Sequence, residues 1–137
     1  MTFAGINYLA VVIAAAAAFI FSGIYYRVFG DAWMKAIGFN KKSMAKKSMR
    51  TPLLITAIAD LIMAWVLAGL VAHLGPAQVN VNNGLVSGAF VWLGFVATTI
   101  AVNYAFGMRK PMLSVIDASH WLCVLLIMGA IIGAFGV

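Results

Sequence analysis

Charge is scarce in this sequence. Charged residues make up 9% of the 137 positions, where a soluble domain carries about a quarter. That shortage goes with 65% hydrophobic residues and a mean hydropathy of +1.06. Together they exclude a soluble fold with a core and imply an integral membrane protein. Cysteine is nearly missing: the single Cys123 excludes an intramolecular disulfide and is silent on redox compartment. Acids are few, three against nine basic residues. No Lys or Arg precedes the first apolar run, so the N-terminus does not read as a standard signal peptide and is expected to stay as a membrane helix. No hydrophilic segment is long enough for a second domain, so residues 1–137 are read as one.

What is present is apolar sequence in four blocks. About 20 apolar residues suffice to span the hydrocarbon. The blocks predict spans at about 5–28, 53–74, 85–106 and 112–135. Helices this apolar on every side leave nothing to meet water, which argues against a soluble bundle. The expected fold is therefore all-α, a membrane bundle of four transmembrane helices.

The basic residues are Arg27, Lys35, Lys41, Lys42, Lys46, Lys47, Arg50, Arg109 and Lys110. All lie at the end of the first span or between spans one and two or three and four. The remaining loop, GPAQVNVNNG (75–84), has none. The positive-inside rule then puts the basic loops in the cytoplasm and both termini outside. Contact with anionic lipid headgroups is a second expected role for these charges. Nucleic acid is not an expected partner. Residues 30–50 read as a solvated, orientation-setting loop. The sharper alternative is an interfacial segment with Trp33, Met34, Ile37 and Phe39 in the membrane surface.

MRTPLL (49–54) and MRKPML (108–113) open the second and fourth helices, and Phe-Gly is expected to end the two helices before them. The chain therefore reads as two hairpins, either a parallel repeat or two uses of a good helix start. Gly84 and Gly88, and Gly129 and Gly133, form GxxxG pairs that let helix backbones approach closely. Trp92 and Trp121 read as packing residues. Tyr8, Tyr25 and Tyr26 read as interfacial belt residues.

The polar residues inside the spans fall at one depth. At 1.5 Å per residue, Asp60, Asp117 and His120 lie about 9–13 Å from the cytoplasmic boundary, with Ser22 and Thr99 near them and Asn103 shallower. Thr56 and Asp60 share a helix face, as do Thr99 and Asn103, and as do Ser114, Asp117 and His120. Polar stripes in a membrane avoid lipid, so these faces are expected to turn towards one another. Three readings compete. A structural layer joins the helices by hydrogen bonds. A proton- or cation-linked transporter or channel uses Asp60, Asp117 and His120, and nearly requires a homo-oligomer in so short a chain. A di-iron site needs several carboxylates and two histidines, more than the spans provide. The structural reading leads. No metal or cofactor is expected, and no nucleophile–base pair, phosphate loop or Cys–His metal pattern occurs.

Three stretches resemble an uncharacterised bacterial family of four-helix membrane proteins, a domain of unknown function. They are INYLAVVIAAAAAFIFSGIYYRVFGDAWMK (6–35), GLVSGAFVWLGFVATTI (84–100) and LSVIDASHWLCVLLIMGAIIGAFG (113–136), about half the chain. The resemblance implies a small multi-pass inner-membrane protein. It carries no reaction, ligand or catalytic residue with it.

Overall fold

The computed structural model describes residues 5–136. In chain order these form α1 (Tyr8–Ile37), α2 (Lys41–Ala45), α3 (Arg50–Ala72), a 3-10 turn at Pro76–Gln78, α4 (Val81–Val91), a π-helical stretch at Trp92–Ala97, α5 (Thr98–Phe106) and α6 (Pro111–Phe135). α4, the π stretch and α5 run on as one rod, Val81–Phe106. No strand occurs among the described residues. The fold is an all-α bundle with four helices long and apolar enough to cross a membrane.

Local chemistry explains where these helices begin and stop. The Asn7 side chain accepts from the Ala10 N–H and caps α1. Asn80 caps α4 in the same way through the Asn83 N–H. Pro111 opens α6 at a position where its missing N–H costs nothing. α1 ends at Gly38, whose φ of 81° is left-handed and natural for glycine.

That last stop corrects two expectations. α1 does not end near Val28 but runs on to Ile37. Its 30 residues are about 45 Å long, against a hydrocarbon layer of about 30 Å. Residues 30–37 are thus helix, and 41–45 form α2, closed by a capping box between Asn40 and Ser43. The 30–50 segment is not a plain solvated loop. Phe29-Gly30 lies inside α1, whereas Phe106-Gly107 ends α5. The two hairpins therefore differ at the point where their sequences echo.

α6 is the central helix, packed against α1, α3 and the third span. Its apolar window is 44% buried, against 6% for the third span, which lies at the edge. The end away from the lysines is closed by small residues. A Cβ on Gly84 would collide with the Gly129 carbonyl, one on Gly129 with the Gly84 carbonyl, and one on Gly133 with the Asn80 carbonyl. Ala14, Ala15 and Ala18 of α1 share one buried cluster with Ala64 and Ala68 of α3. The opposite face of α3 exposes Leu54, Ile58, Leu61, Ile62 and Val66, the apolar surface that lipid requires.

Candidate functional site

Asp117 and His120 stand one turn apart on the inward face of α6 and are 7% and 3% exposed. They do not serve each other. The Asp117 carboxylate accepts from the Tyr26 hydroxyl through Oδ1 and from the Tyr104 hydroxyl through Oδ2, both at 2.7 Å. One side chain of α6 thereby ties α1 and α5. Two further bonds fix the same level. The Tyr25 hydroxyl donates to the Ile116 carbonyl at 2.8 Å, and the Trp92 indole to the Ala118 carbonyl at 2.7 Å. Hydrogen bonds between membrane helices contribute about 1 kcal/mol each, so this lattice is a substantial structural element. Tyr25, Tyr26 and Trp92 are therefore not simple belt or packing residues. With α1 running to Ile37, the two tyrosines lie well inside the helix.

The third span delivers Tyr104 rather than Asn103, and the π-helical stretch is the reason. In an unbroken α-helix Asn103 would lie about 60° round from Gly88, and Tyr104 about 160°. Gly88 faces α6, where a Cβ would press on the Leu125 carbonyl. A π turn takes up one extra residue, which hands the inward position to Tyr104. Thr99 and Asn103 turn outward and are exposed, and the Thr99 hydroxyl bonds back to the Phe95 carbonyl. The expectation that they face Asp60 and His120 is corrected on this ground.

His120 pairs with α1. Its Nε2 lies 2.7 Å from Ser22 Oγ. Ser22 already donates its proton to the Ala18 carbonyl at 2.9 Å, so Nε2–H is the donor and Ser22 the acceptor. Nδ1 is buried without a hydrogen-bond partner. Aromatic rings surround the imidazole: Tyr26 at 4.9 Å, Tyr25 at 5.3 Å and Trp121 at 4.8 Å between centroids.

Asp60 lies at the matching height of α3. It is 0% exposed, and neither carboxyl oxygen has a hydrogen-bond partner. It makes no hydrogen bond to His120, Thr99 or Asn103. Thr56, one turn below, donates to the Pro52 carbonyl at 2.9 Å. Ser114 is half-buried. His73 sits near the far end, its Nδ1 2.6 Å from the Gly69 carbonyl. Among the described residues no three His, Cys, Asp or Glu side chains gather as metal ligands.

Between α1 and α3 at the basic end, α6 forms the back of a pocket of about 500 Å³. Ser22 and His120 supply polar wall, together with Tyr26 and Thr56. Phe19, Trp33, Met34 and Trp121 contribute apolar wall, and Met44 of α2 with Met49 lines the end next to the basic segment. Gly23 and Gly30 also line it, with open space where a Cβ would stand. This is the feature that the sequence did not reveal, because it needs the continuation of α1 and the placement of α2.

No curated protein and no solved structure matches the chain. A family model does match, over residues 9–133, a range that takes in nearly all of the four long helices, the polar lattice and every lining residue of the pocket. By that match the chain belongs to the family described as "Protein of unknown function (DUF1761)".

Proposed function

We propose that this membrane protein binds a small molecule with an apolar body in the pocket between α1, α3 and α6, and that Asp117 with its two tyrosines is the structural tie beside it. The pocket itself carries the reading. Its volume of about 500 Å³ lies within the range of small-molecule sites, and such sites are mostly apolar with a few placed polar groups. The structural role expected of the polar layer is retained for Asp117, which has a partner on each oxygen.

A pocket-filling substitution tests this. Gly23 lines the pocket with open space at its Cβ position, so Gly23→Trp is chosen to put a ring into the cavity. The protein is drawn from membranes in polymer nanodiscs, and its retained small molecules are read by mass spectrometry. A mass held by wild type and lost from Gly23→Trp at unchanged melting temperature supports the proposal. Identical small-molecule content in the two would overturn it.

A second reading rests on Asp60, fully buried with both oxygens unpartnered. An ionised carboxylate in that state is very costly, and a proton or small cation on it relieves the cost. Ionisable groups inside membranes are functional by default. On this reading Asp60→Asn abolishes a pH- or cation-dependent flux in proteoliposomes and leaves the fold intact. Wild-type vesicles no leakier than empty ones would sink it.

We further read the basic end as cytoplasmic, in a bacterial inner membrane with both termini outside, because all nine basic residues cluster on one side of the spans. A reporter fused after Val137 should then be active only as a periplasmic type. The thinly buried third span, with Thr99 and Asn103 exposed, is the surface we assign to a second copy of the chain.

A further inference from the structure

The geometry points to the class of ligand: we propose a single-tailed anionic amphiphile of the fatty-acid type, with its hydrocarbon in the pocket and its acid group among the lysines at the mouth. The inference rests on the pocket being a ligand site. It is carried by two observations, the hydrogen-bond state of the wall and the charge around the opening.

The wall has little to offer a polar group. The Ser22 hydroxyl donates to Ala18, the Tyr26 hydroxyl to Asp117 and the Thr56 hydroxyl to Pro52. The His120 Nε2 is taken up by Ser22, and its Nδ1 is buried. The indoles of Trp33 and Trp121 are the remaining N–H donors of the lining side chains. A carboxylate or phosphate drawn into this space would lose its water and gain too few donors in return. Hydrocarbon loses nothing there. Aromatic and methionine side chains adapt well to a flexible chain.

The mouth is the reverse. α2 places Met44 in the wall and carries Lys41 and Lys42, and Met49 adjoins Arg50. Lys42 and Lys46 flank Met44 in sequence, Arg50 follows Met49, and all three are exposed. Asp31 is the one acid outside the buried layer, and it lies 3.5 Å from Lys41. Lys47 stacks over the Phe39 ring at 5.1 Å. An anionic head at this rim meets several cations and one acid that is already paired. Each such cation near a membrane surface strengthens the hold on an anion several-fold. A head at the rim and a tail reaching towards His120 is an amphiphile seated along α1. A drug-sized cavity suits one tail.

Photolabelling tests the assignment. The protein is reconstituted in phosphatidylcholine nanodiscs and exposed to a palmitic acid analogue with a mid-chain diazirine. The matching long-chain alcohol and a phosphatidylglycerol bearing the same diazirine chain run in parallel. Peptide mapping should place the acid on the segments holding Trp33, Met34, Met44 and Met49. Labelling should fall about tenfold or more when Lys42, Lys46 and Arg50 are all changed to Ala, and disappear in Gly23→Trp. Gly30→Phe, which fills the same space from the next turns of α1, guards against a folding failure of the first variant. Equal labelling by the alcohol, still blocked by Gly23→Trp, leaves the pocket reading standing and overturns the anionic head. Equal labelling by the phosphatidylglycerol makes the pocket a general lipid groove and overturns the single-tailed class. If no probe reaches the wall, the amphiphile assignment is overturned, while the pocket reading stands or falls on the molecules retained by wild type and Gly23→Trp.

Discussion

At the end of the bundle away from the lysines, the third span and α6 meet backbone to backbone, and the atoms in contact at Gly84 and Gly129 belong to the main chain. At the basic end the same two helices are joined by side chains, the Trp92 indole on Ala118 and Tyr104 on Asp117. α1 and α3 differ in the same sense. They share an alanine cluster at one end and enclose a pocket at the other. Small residues leave no room, and long polar ones set a spacing and hold it. The bundle thus has one end built for closure and one built with space, and its ionisable spanning residues lie in the second.

Glycine substitutions should separate the two ends most sharply. Gly129→Leu forces a side chain into the Gly84 carbonyl and should destabilise by about 3 kcal/mol or more, read as a large drop in melting temperature or as failure to fold. Gly30→Leu faces open space and should leave the melting temperature unchanged or raised, since leucine is the better helix former. Equal effects at the two sites would erase the distinction.

Next in size comes the tie. Asp117→Leu strands two tyrosine hydroxyls in the membrane interior and should cost about 2–4 kcal/mol. Asp117→Asn keeps one acceptor oxygen and should cost about 1 kcal/mol. Thermal unfolding of the two variants checks the order. Smaller again, Tyr104→Phe should cost about 1 kcal/mol, while Asn103→Leu should cost almost nothing. If Asn103 proves the costlier of the pair, the π stretch does not hand its position to Tyr104. The smallest effect belongs to Asp60. No partner is lost in Asp60→Asn or Asp60→Leu, so neither should destabilise by more than about 0.5 kcal/mol. A strong destabilisation by Asp60→Leu would mean that Asp60 holds a bond after all.

Composition was enough for the fold class, because helices apolar on every side have only one solvent that suits them. The site was legible in part. The spacing of Asp117 and His120 puts them on one face of α6 whatever surrounds them. Their partners could not be read in the same way. Tyr25 and Tyr26 looked interfacial because they sit at the end of a span expected to stop near residue 28, but the helix carries on to Ile37. The sequence cue for that was present in Gly38 and the Asn40-x-x-Ser43 capping box, a better stop and restart than Phe29-Gly30. The π stretch has no residue signature, and counting 3.6 residues per turn from Gly88 puts Asn103 rather than Tyr104 towards α6. The pocket depends on three helices and α2 together, so no single segment announces it.

The central claim is that the basic end of the bundle holds a ligand between α1 and α3. An experimental structure in a lipid nanodisc, prepared from native membranes, tests it most directly. The account predicts elongated non-protein density along Phe19, Trp33 and Met44, with one end near Ser22 and His120 and the other among Lys42, Lys46 and Arg50. Closure of α1 onto α3, with Trp33 and Met44 packed on Leu53 and no space between them, would contradict it.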